Sequence, residues 1–121
     1  MKRDRGITLD VSPGADVHID ETARLGEGCR IHARGGVVRI GANAVLGDRC
    51  VLIAHAGIEI GDGAMLADEV VLIDFEHTHD DVETPVRLQP LRAKAIVVGP
   101  GARVGVGAAL RPGARVQRGA V

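Results

Sequence analysis

The sequence predicts an all-β protein that folds as a parallel β-helix, and three observations support this. The 121-residue chain has 17 glycines and 45% hydrophobic residues, but one phenylalanine and neither tryptophan nor tyrosine. Layered cores normally use aromatic side chains, so an almost wholly aliphatic core indicates a narrow interior. Aliphatic residues recur every six positions through most of the chain, with a short extra after every three hexapeptides, and residues 72–90 interrupt that rhythm. We therefore expect a single domain, residues 1–121, with one protruding loop at about residues 74–95.

The six-residue period is the main evidence for coils. The aliphatic positions are Ile19, Leu25, Ile31, Ile40, Leu46, Leu52, Ile60, Leu66, Leu72, Val98, Val104, Leu110 and Val116. A period of six fits neither a helix face nor an alternating strand. It fits a short strand and a turn, repeated three times per triangular coil, with each coil stabilised by its neighbours. A β-sandwich with glycine-rich turns would need strands spaced by about 8–12 residues.

Small residues are expected to point inward at the corners, four positions after the aliphatic ones. They are Ala23, Cys29, Gly35, Ala44, Cys50, Ala56, Ala64, Val70, Ala102, Ala108, Ala114 and Ala120. Cys29 and Cys50 lie one coil apart, so they should stack about 4.8 Å from each other. We interpret them as small buried hydrophobic residues. A disulfide between them is conceivable, but it would need an oxidising compartment.

Charge and hydropathy exclude several classes of function. With 15 basic and 16 acidic residues the chain has no excess charge for a polyanion, and its basic residues lack interleaved aromatics. Nucleic-acid binding is therefore not expected. The charged start does not resemble a signal peptide, and no apolar run is long enough to span a membrane. We expect a cytoplasmic protein.

Residues 72–90 carry the candidate chemistry. They contain the single aromatic residue, Phe75, two of the five histidines, and a cluster of acidic residues. One interruption of a regular repeat by residues that can move protons indicates a scaffold with one site. The later histidine-free repeats resume by Ile96.

This pattern resembles the hexapeptide-repeat acyltransferases, whose fold is a left-handed parallel β-helix. The resemblance covers residues 38–121 and is closest to the maltose and galactoside O-acetyltransferases and those of O-antigen and capsule. It is carried by the repeats in residues 58–74, Phe75-Glu76-His77, Pro85, Gln89-Pro90 and the resumed segment 94–99. It implies an acetyl-CoA-dependent O-acetyltransferase that acts on a sugar or sugar-like hydroxyl and works as a homotrimer.

The resemblance places His77 on the family's catalytic histidine, which acts as a general base. An unperturbed imidazole is mostly neutral at cytosolic pH and can accept a proton from a hydroxyl group. The acid that would accept the other ring proton is left open among Asp74, Glu76, Asp80 and Asp81. His79 is a rival base or a substrate contact, since residues two apart in an extended stretch share a face.

Further site residues are expected on the same resemblance. Asp74, Phe75, His79 and Gln89 are candidates for substrate binding; Phe75 could equally be a loop plug over the side of the β-helix, and Gln89 could serve the turn beside Pro90. Gly105, Val106 and Gly107 are the expected contacts for acetyl-CoA, or simply a turn. Among the other histidines only His55 is expected near the site. The family's last coil and cap are expected to be missing.

Two alternatives remain open from the sequence. One is a γ-carbonic-anhydrase-like zinc enzyme, which needs three histidines around the metal; His55, His77 and His79 do not match that family's spacing, so no metal is expected. The other is a non-catalytic β-helix that serves as a scaffold or assembly module.

Overall fold

The structure is a computed structural model that describes residues 6–77 and 91–118. Throughout this part of the chain the regular elements are β-strands, most of them in parallel ladders. The fold is a left-handed β-helix of about 4 turns, which confirms the predicted fold class. Over the same residues there is no helix with the length and apolar character needed to cross a membrane.

Three sheets form the sides of the triangular coil, and strands are numbered in chain order. Sheet A consists of β1 (Thr8–Val11), β4 (Arg30–Ala33), β7 (Val51–Ala54), β10 (Val71–Ile73) and β15 (Ala109–Leu110). Sheet B consists of β2 (Asp16–Ile19), β5 (Val37–Ile40), β8 (Gly57–Ile60), β13 (Ile96–Val98) and β16 (Arg115–Val116). Sheet C consists of β3 (Arg24–Leu25), β6 (Val45–Leu46), β9 (Met65–Leu66) and β14 (Arg103–Val104).

The core is a stack of aliphatic ladders, because equivalent residues of successive coils pair in register. In sheet A, Ile31, Leu52 and Leu72 are direct partners and each is 0% exposed. The ladder ends on half-buried residues, Leu9 on one side and Leu110 on the other. Each coil thus seals its neighbours, which is how a chain almost without aromatics buries enough apolar surface.

The predicted inward register is wrong at two positions. Ala56 is exposed and Gly35 is only half-buried. The strands of sheet A hold two inward positions, two residues apart, so the small residues that fill the core there are Ala33 and Ala54, both 0% exposed. Gly35 and Ala56 lie instead in the corner between sheets A and B, beyond the ends of β4 and β7.

Aspartate side chains link the corners of successive coils. A carboxylate oxygen accepts one backbone N–H of the preceding coil, at 2.8–2.9 Å, in the pairs Glu27 to Asp48, Ala42 to Asp62 and Asp48 to Asp68. These bonds satisfy turn amides that the parallel ladders leave unpaired. Three of the described corners hold a non-glycine residue in the left-handed region: Asn43, Arg49 and Glu69, with φ of 59°, 58° and 60°.

The two cysteines occupy the core as predicted. Both are free and 0% exposed, in adjacent coils. The Cys29 thiol donates to the carbonyl oxygen of Gly47 at 3.1 Å, and the Cys50 thiol to that of Ala67 at 3.2 Å. The contact with Cys29, together with burial, raises the pKa of the Cys50 thiol. The pair therefore behaves as small buried residues.

Candidate active site at the loop base

The loop leaves the β-helix at the corner between sheets A and B. Its stem is an antiparallel pair, β11 (Phe75–His77) with β12 (Leu91–Ala93), in the register Phe75 to Ala93 and His77 to Leu91. The stem closes where the Lys94 N–H donates to the carbonyl oxygen of Asp74 at 2.8 Å. The chain rejoins sheet B at Ile96, which pairs with Ile58 of the preceding coil. The predicted return of the repeat at Ile96 is confirmed.

Asp74 is the buried polar residue at this corner. Its Oδ1 accepts the N–H of His55 at 2.7 Å, and its Oδ2 accepts those of Ala56 and Gly57 at 2.8 and 2.6 Å. The residue is 0% exposed. An unpaired carboxylate would be very costly there, but three charge-assisted hydrogen bonds offset the loss of water.

These hydrogen bonds constrain the roles that the sequence suggests for Asp74. Both carboxylate oxygens are engaged by backbone N–H groups of the preceding coil, so a substrate contact would require that corner to open. Binding of substrate by Asp74, or acceptance of a ring proton from His77, stays a prediction. The structure itself gives the residue a scaffolding role.

Phe75 packs against His55 of the preceding coil. The two ring centroids lie 4.3 Å apart and the ring planes meet at 67°, an edge-to-face arrangement that aromatic rings favour. Phe75 is half-buried, and its other surroundings form a largely apolar groove of about 220 Å³ with Val71, Ile73 and Leu110. The expectation that His55 alone among the other histidines lies near the loop is consistent with this contact. Whether Phe75 also stacks on a sugar stays a prediction.

Two further contacts tie the stem to the last coil. Arg111 Nη2 lies 3.4 Å from Glu76 Oε2, with the arginine side chain 81% exposed. Such a solvated ion pair stabilises by about 0–1 kcal/mol. The Gly113 N–H donates to the Lys94 carbonyl oxygen at 3.0 Å. An added Cβ at Gly113 would lie 2.8 Å from Lys94 Cδ, so the lysine stem covers this glycine.

Several predicted site residues fall beyond what the structure describes. His77 lies on β11, two positions after Phe75, but its side chain is outside the described part. His79, Asp80, Asp81 and Gln89 are in residues 78–90, which are also outside it. Their predicted roles stay predictions.

The expected coenzyme segment is a turn at the corner between sheets C and A, where β14 ends and β15 begins. Gly107 has φ of +71°, and its N–H donates to the Asp68 carbonyl oxygen of the preceding coil at 3.0 Å. Val106 is 73% exposed. A Cβ added to Gly105 would meet nothing within 4 Å. The turn is therefore open to a ligand, while its contact with acetyl-CoA stays a prediction.

Comparison with known proteins finds curated relatives of this chain. No model of a protein family matches the chain. A Mycobacterium tuberculosis protein named a probable acetyltransferase is 30% identical over 97% of this chain. Nodulation protein L of Rhizobium leguminosarum is 32% identical over 63% of it. The chain spans 39% of the length of each of these curated relatives.

Solved structures show the same fold. AntD, an N-acyltransferase from Bacillus cereus, matches with a TM-score of 0.69 and 16% identity over 93% of this chain and 66% of its own. That structure holds dTDP-4-amino-4,6-dideoxyglucose and coenzyme A. A second AntD structure, with dTDP and 3-hydroxybutyryl-CoA, matches with a TM-score of 0.56 and 14% identity over 88% of this chain and 62% of its own.

The acetyltransferase relative, the repeats and the shared fold support the hexapeptide-repeat acyltransferase family for this chain. Within this hexapeptide-repeat protein, sequence reasoning missed the three backbone bonds of Asp74 and the ring contact of His55 with Phe75. A signal for the first was present, since Asp74 follows Leu72 by two and so occupies the inward position that Ala33 and Ala54 fill in earlier coils. Among the described residues, no group of three or more His, Cys, Asp or Glu side chains is placed to hold a metal ion.

Proposed function

We propose that this hexapeptide-repeat protein is an acetyl-CoA-dependent O-acetyltransferase that acts on the hydroxyl of a sugar or sugar-like acceptor. The named acetyltransferase relative and the fold shared with AntD support acyl transfer. The ligands of AntD, coenzyme A and a nucleotide-linked sugar, support the donor and the acceptor class. Because the chain spans 39% of its curated relatives, the activity is a proposal for the protein as a whole.

The observation that carries the proposal is the short, closed stem that holds His77. His77 is three residues after the buried Asp74, on a strand paired with β12 whose base is closed by the bond from Lys94 to Asp74. A base acts efficiently only when its position is fixed relative to the proton that it accepts. A stem anchored in the β-helix provides such a position.

In the proposed reaction His77 acts as general base. Its neutral ring nitrogen takes the proton of the acceptor hydroxyl while that oxygen attacks the thioester carbonyl carbon of acetyl-CoA. A tetrahedral intermediate forms, then collapses with cleavage of the carbon–sulfur bond. The thiolate of coenzyme A leaves, and the imidazolium of His77 returns the proton to it.

The donor is proposed to lie along the turn of Gly105, Val106 and Gly107. The missing side chains of the two glycines and the exposure of Val106 leave room for a pantetheine arm. This turn precedes a strand of sheet A and the loop base follows one, so the two lie at opposite ends of the strands of that sheet. One subunit's turn and a neighbouring subunit's loop would therefore complete a site between them. The proposed assembly is accordingly a homotrimer.

Replacing the proposed base tests the function. His77→Ala should fold as the wild type and lose transfer by a factor of about 10²–10⁴. The assay follows release of the coenzyme A thiol from acetyl-CoA with a panel of hexoses and nucleotide sugars. His18→Ala is the matched control, since His18 is exposed on sheet B. Unchanged turnover in a folded His77→Ala protein would refute the proposal.

An amine acceptor is a second candidate, favoured by one observation. AntD is an N-acyltransferase and was solved with an amino sugar nucleotide. The chemistry of the product separates the two, since an O-acetyl ester is cleaved by mild alkali and an N-acetyl amide is not. An alkali-stable product would replace the hydroxyl acceptor by an amine.

A further inference from the structure

We propose that Asp74 is a positioning residue, whose buried carboxylate fixes the preceding coil's corner and thereby the strand that carries His77. The catalytic part of this inference rests on the proposed function. Its structural part concerns the contacts of Asp74, His55 and Phe75 alone.

Asp74 joins three segments of the chain through separate groups. Its carboxylate holds the N–H groups of His55, Ala56 and Gly57. Its carbonyl oxygen accepts the N–H of Lys94, where the loop returns. Its own N–H donates to the carbonyl oxygen of Ile53 at 3.3 Å. One residue therefore fixes the start of the loop, its end and the coil beneath.

The second step passes through the aromatic contact. Because Oδ1 of Asp74 holds the backbone N–H of His55, it fixes where the His55 side chain leaves the chain. The imidazole of His55 then packs edge-to-face on Phe75, two residues before His77. The exposed Glu76–Arg111 pair adds little, because solvated ion pairs are weak.

Asp74 accepts more hydrogen bonds and is more deeply buried than the aspartates at other corners. Asp62 and Asp68 each accept a single backbone N–H through Oδ1, and both are exposed. Asp74 accepts three with both oxygens and is 0% exposed. It also stands at the inward position where Ala33 and Ala54 suffice in earlier coils. Among the corners that the structure describes, the one with these extra hydrogen bonds is the corner from which the loop departs.

The test compares Asp74→Asn with Asp62→Asn in the full chain. The amide replaces one acceptor oxygen with a donor group, so it cannot keep all three bonds. Phe75 is the only phenylalanine, and there is no tyrosine or tryptophan, so its ring protons are readily assigned by NMR. We expect the nuclear Overhauser effect between the Phe75 and His55 rings to be lost in Asp74→Asn and kept in Asp62→Asn.

Kinetics test the catalytic part. Asp74→Asn should lower kcat about 10- to 100-fold, because misplacing a catalytic group by about 1 Å has such an effect. KM for acetyl-CoA should not change, since the coenzyme turn lies at another corner. Asp62→Asn should keep both constants. An unchanged ring contact together with unchanged kcat in Asp74→Asn would overturn the proposal.

A second variant keeps the test decisive if Asp74→Asn does not fold. His55→Ala retains its backbone N–H bond to Asp74 and removes only the ring contact. It should lower kcat in the same direction, whereas His18→Ala should not; equal kcat in the two would overturn the positioning role. A wild-type protein without transfer activity, combined with loss of the ring contact in Asp74→Asn, would refute the proposed function and leave the structural role of Asp74 standing.

Discussion

Truncating Asp74 to alanine should be among the most destabilising single changes at the corners of the β-helix. The substitution removes the acceptors of three backbone N–H groups, at 2.6–2.8 Å, in a position that is 0% exposed. Asp68→Ala is the matched control. It removes one such acceptor, that of the Asp48 N–H, at an exposed corner.

The expected magnitudes follow from the number and burial of the donors left unpaired. A buried donor without an acceptor costs about 1–3 kcal/mol, so three would cost about 3–9 kcal/mol. Ala56 is exposed and His55 half-buried, so water can reach part of the corner, and we expect about 3–5 kcal/mol from the lower end of that range. Asp68→Ala should cost about 0.5–1.5 kcal/mol, as for a single solvated hydrogen bond.

Urea unfolding at equal protein concentration measures both values, since any assembly makes stability depend on concentration. Far-ultraviolet circular dichroism is a suitable probe for a protein without tryptophan or tyrosine. A loss of less than about 1 kcal/mol in Asp74→Ala, the typical contribution of one bond, would contradict three buried hydrogen bonds at this corner. Equal stability of the two variants would contradict them as well.

Two further pairs of variants test the core and the coenzyme turn. Leu72→Ala should cost about 3–5 kcal/mol because Leu72 lies inside a continuous ladder, whereas Leu110→Ala, at its half-buried end, should cost about 1–2 kcal/mol; equal losses in urea unfolding would contradict the stacked core. Gly47→Ala should destabilise by about 1–3 kcal/mol, because the added Cβ would overlap Asp68 Oδ1 and lie 2.6 Å from its backbone nitrogen. Gly105→Ala should fold normally, since its Cβ meets nothing within 4 Å, but should weaken acetyl-CoA binding in calorimetry; wild-type affinity would remove Gly105 from the proposed site.

The repeat made most of the fold predictable. Hexapeptides of successive coils pack their aliphatic residues against one another, so position alone predicts the partners of Leu52 and Leu72, and the structure shows them. The same reasoning predicted the stacked cysteines, Cys29 and Cys50, and both are buried. It failed at Ala56 because the strands of sheets A and B that flank this corner, β7 and β8, are longer than those of sheet C, so a fixed count of six does not hold there.

The candidate site was less predictable, because its contacts join different coils. The partners of Asp74 are backbone N–H groups 17 to 19 residues earlier, which any sequence would supply. Only the register of Ile73 with Ile53 brings them into reach. The ring contact of Phe75 with His55 depends equally on where the stem leaves the corner. Residue types therefore predicted a site at the loop, but they did not predict the contacts that hold the loop base in place.

The most direct test of the account is a crystal structure of the protein with coenzyme A bound. The account predicts the pantetheine arm against Gly105, Val106 and Gly107, with the thiol within hydrogen-bonding distance of the imidazole of His77 contributed by a neighbouring subunit. A bound coenzyme whose thiol lies away from every His77 side chain would contradict it.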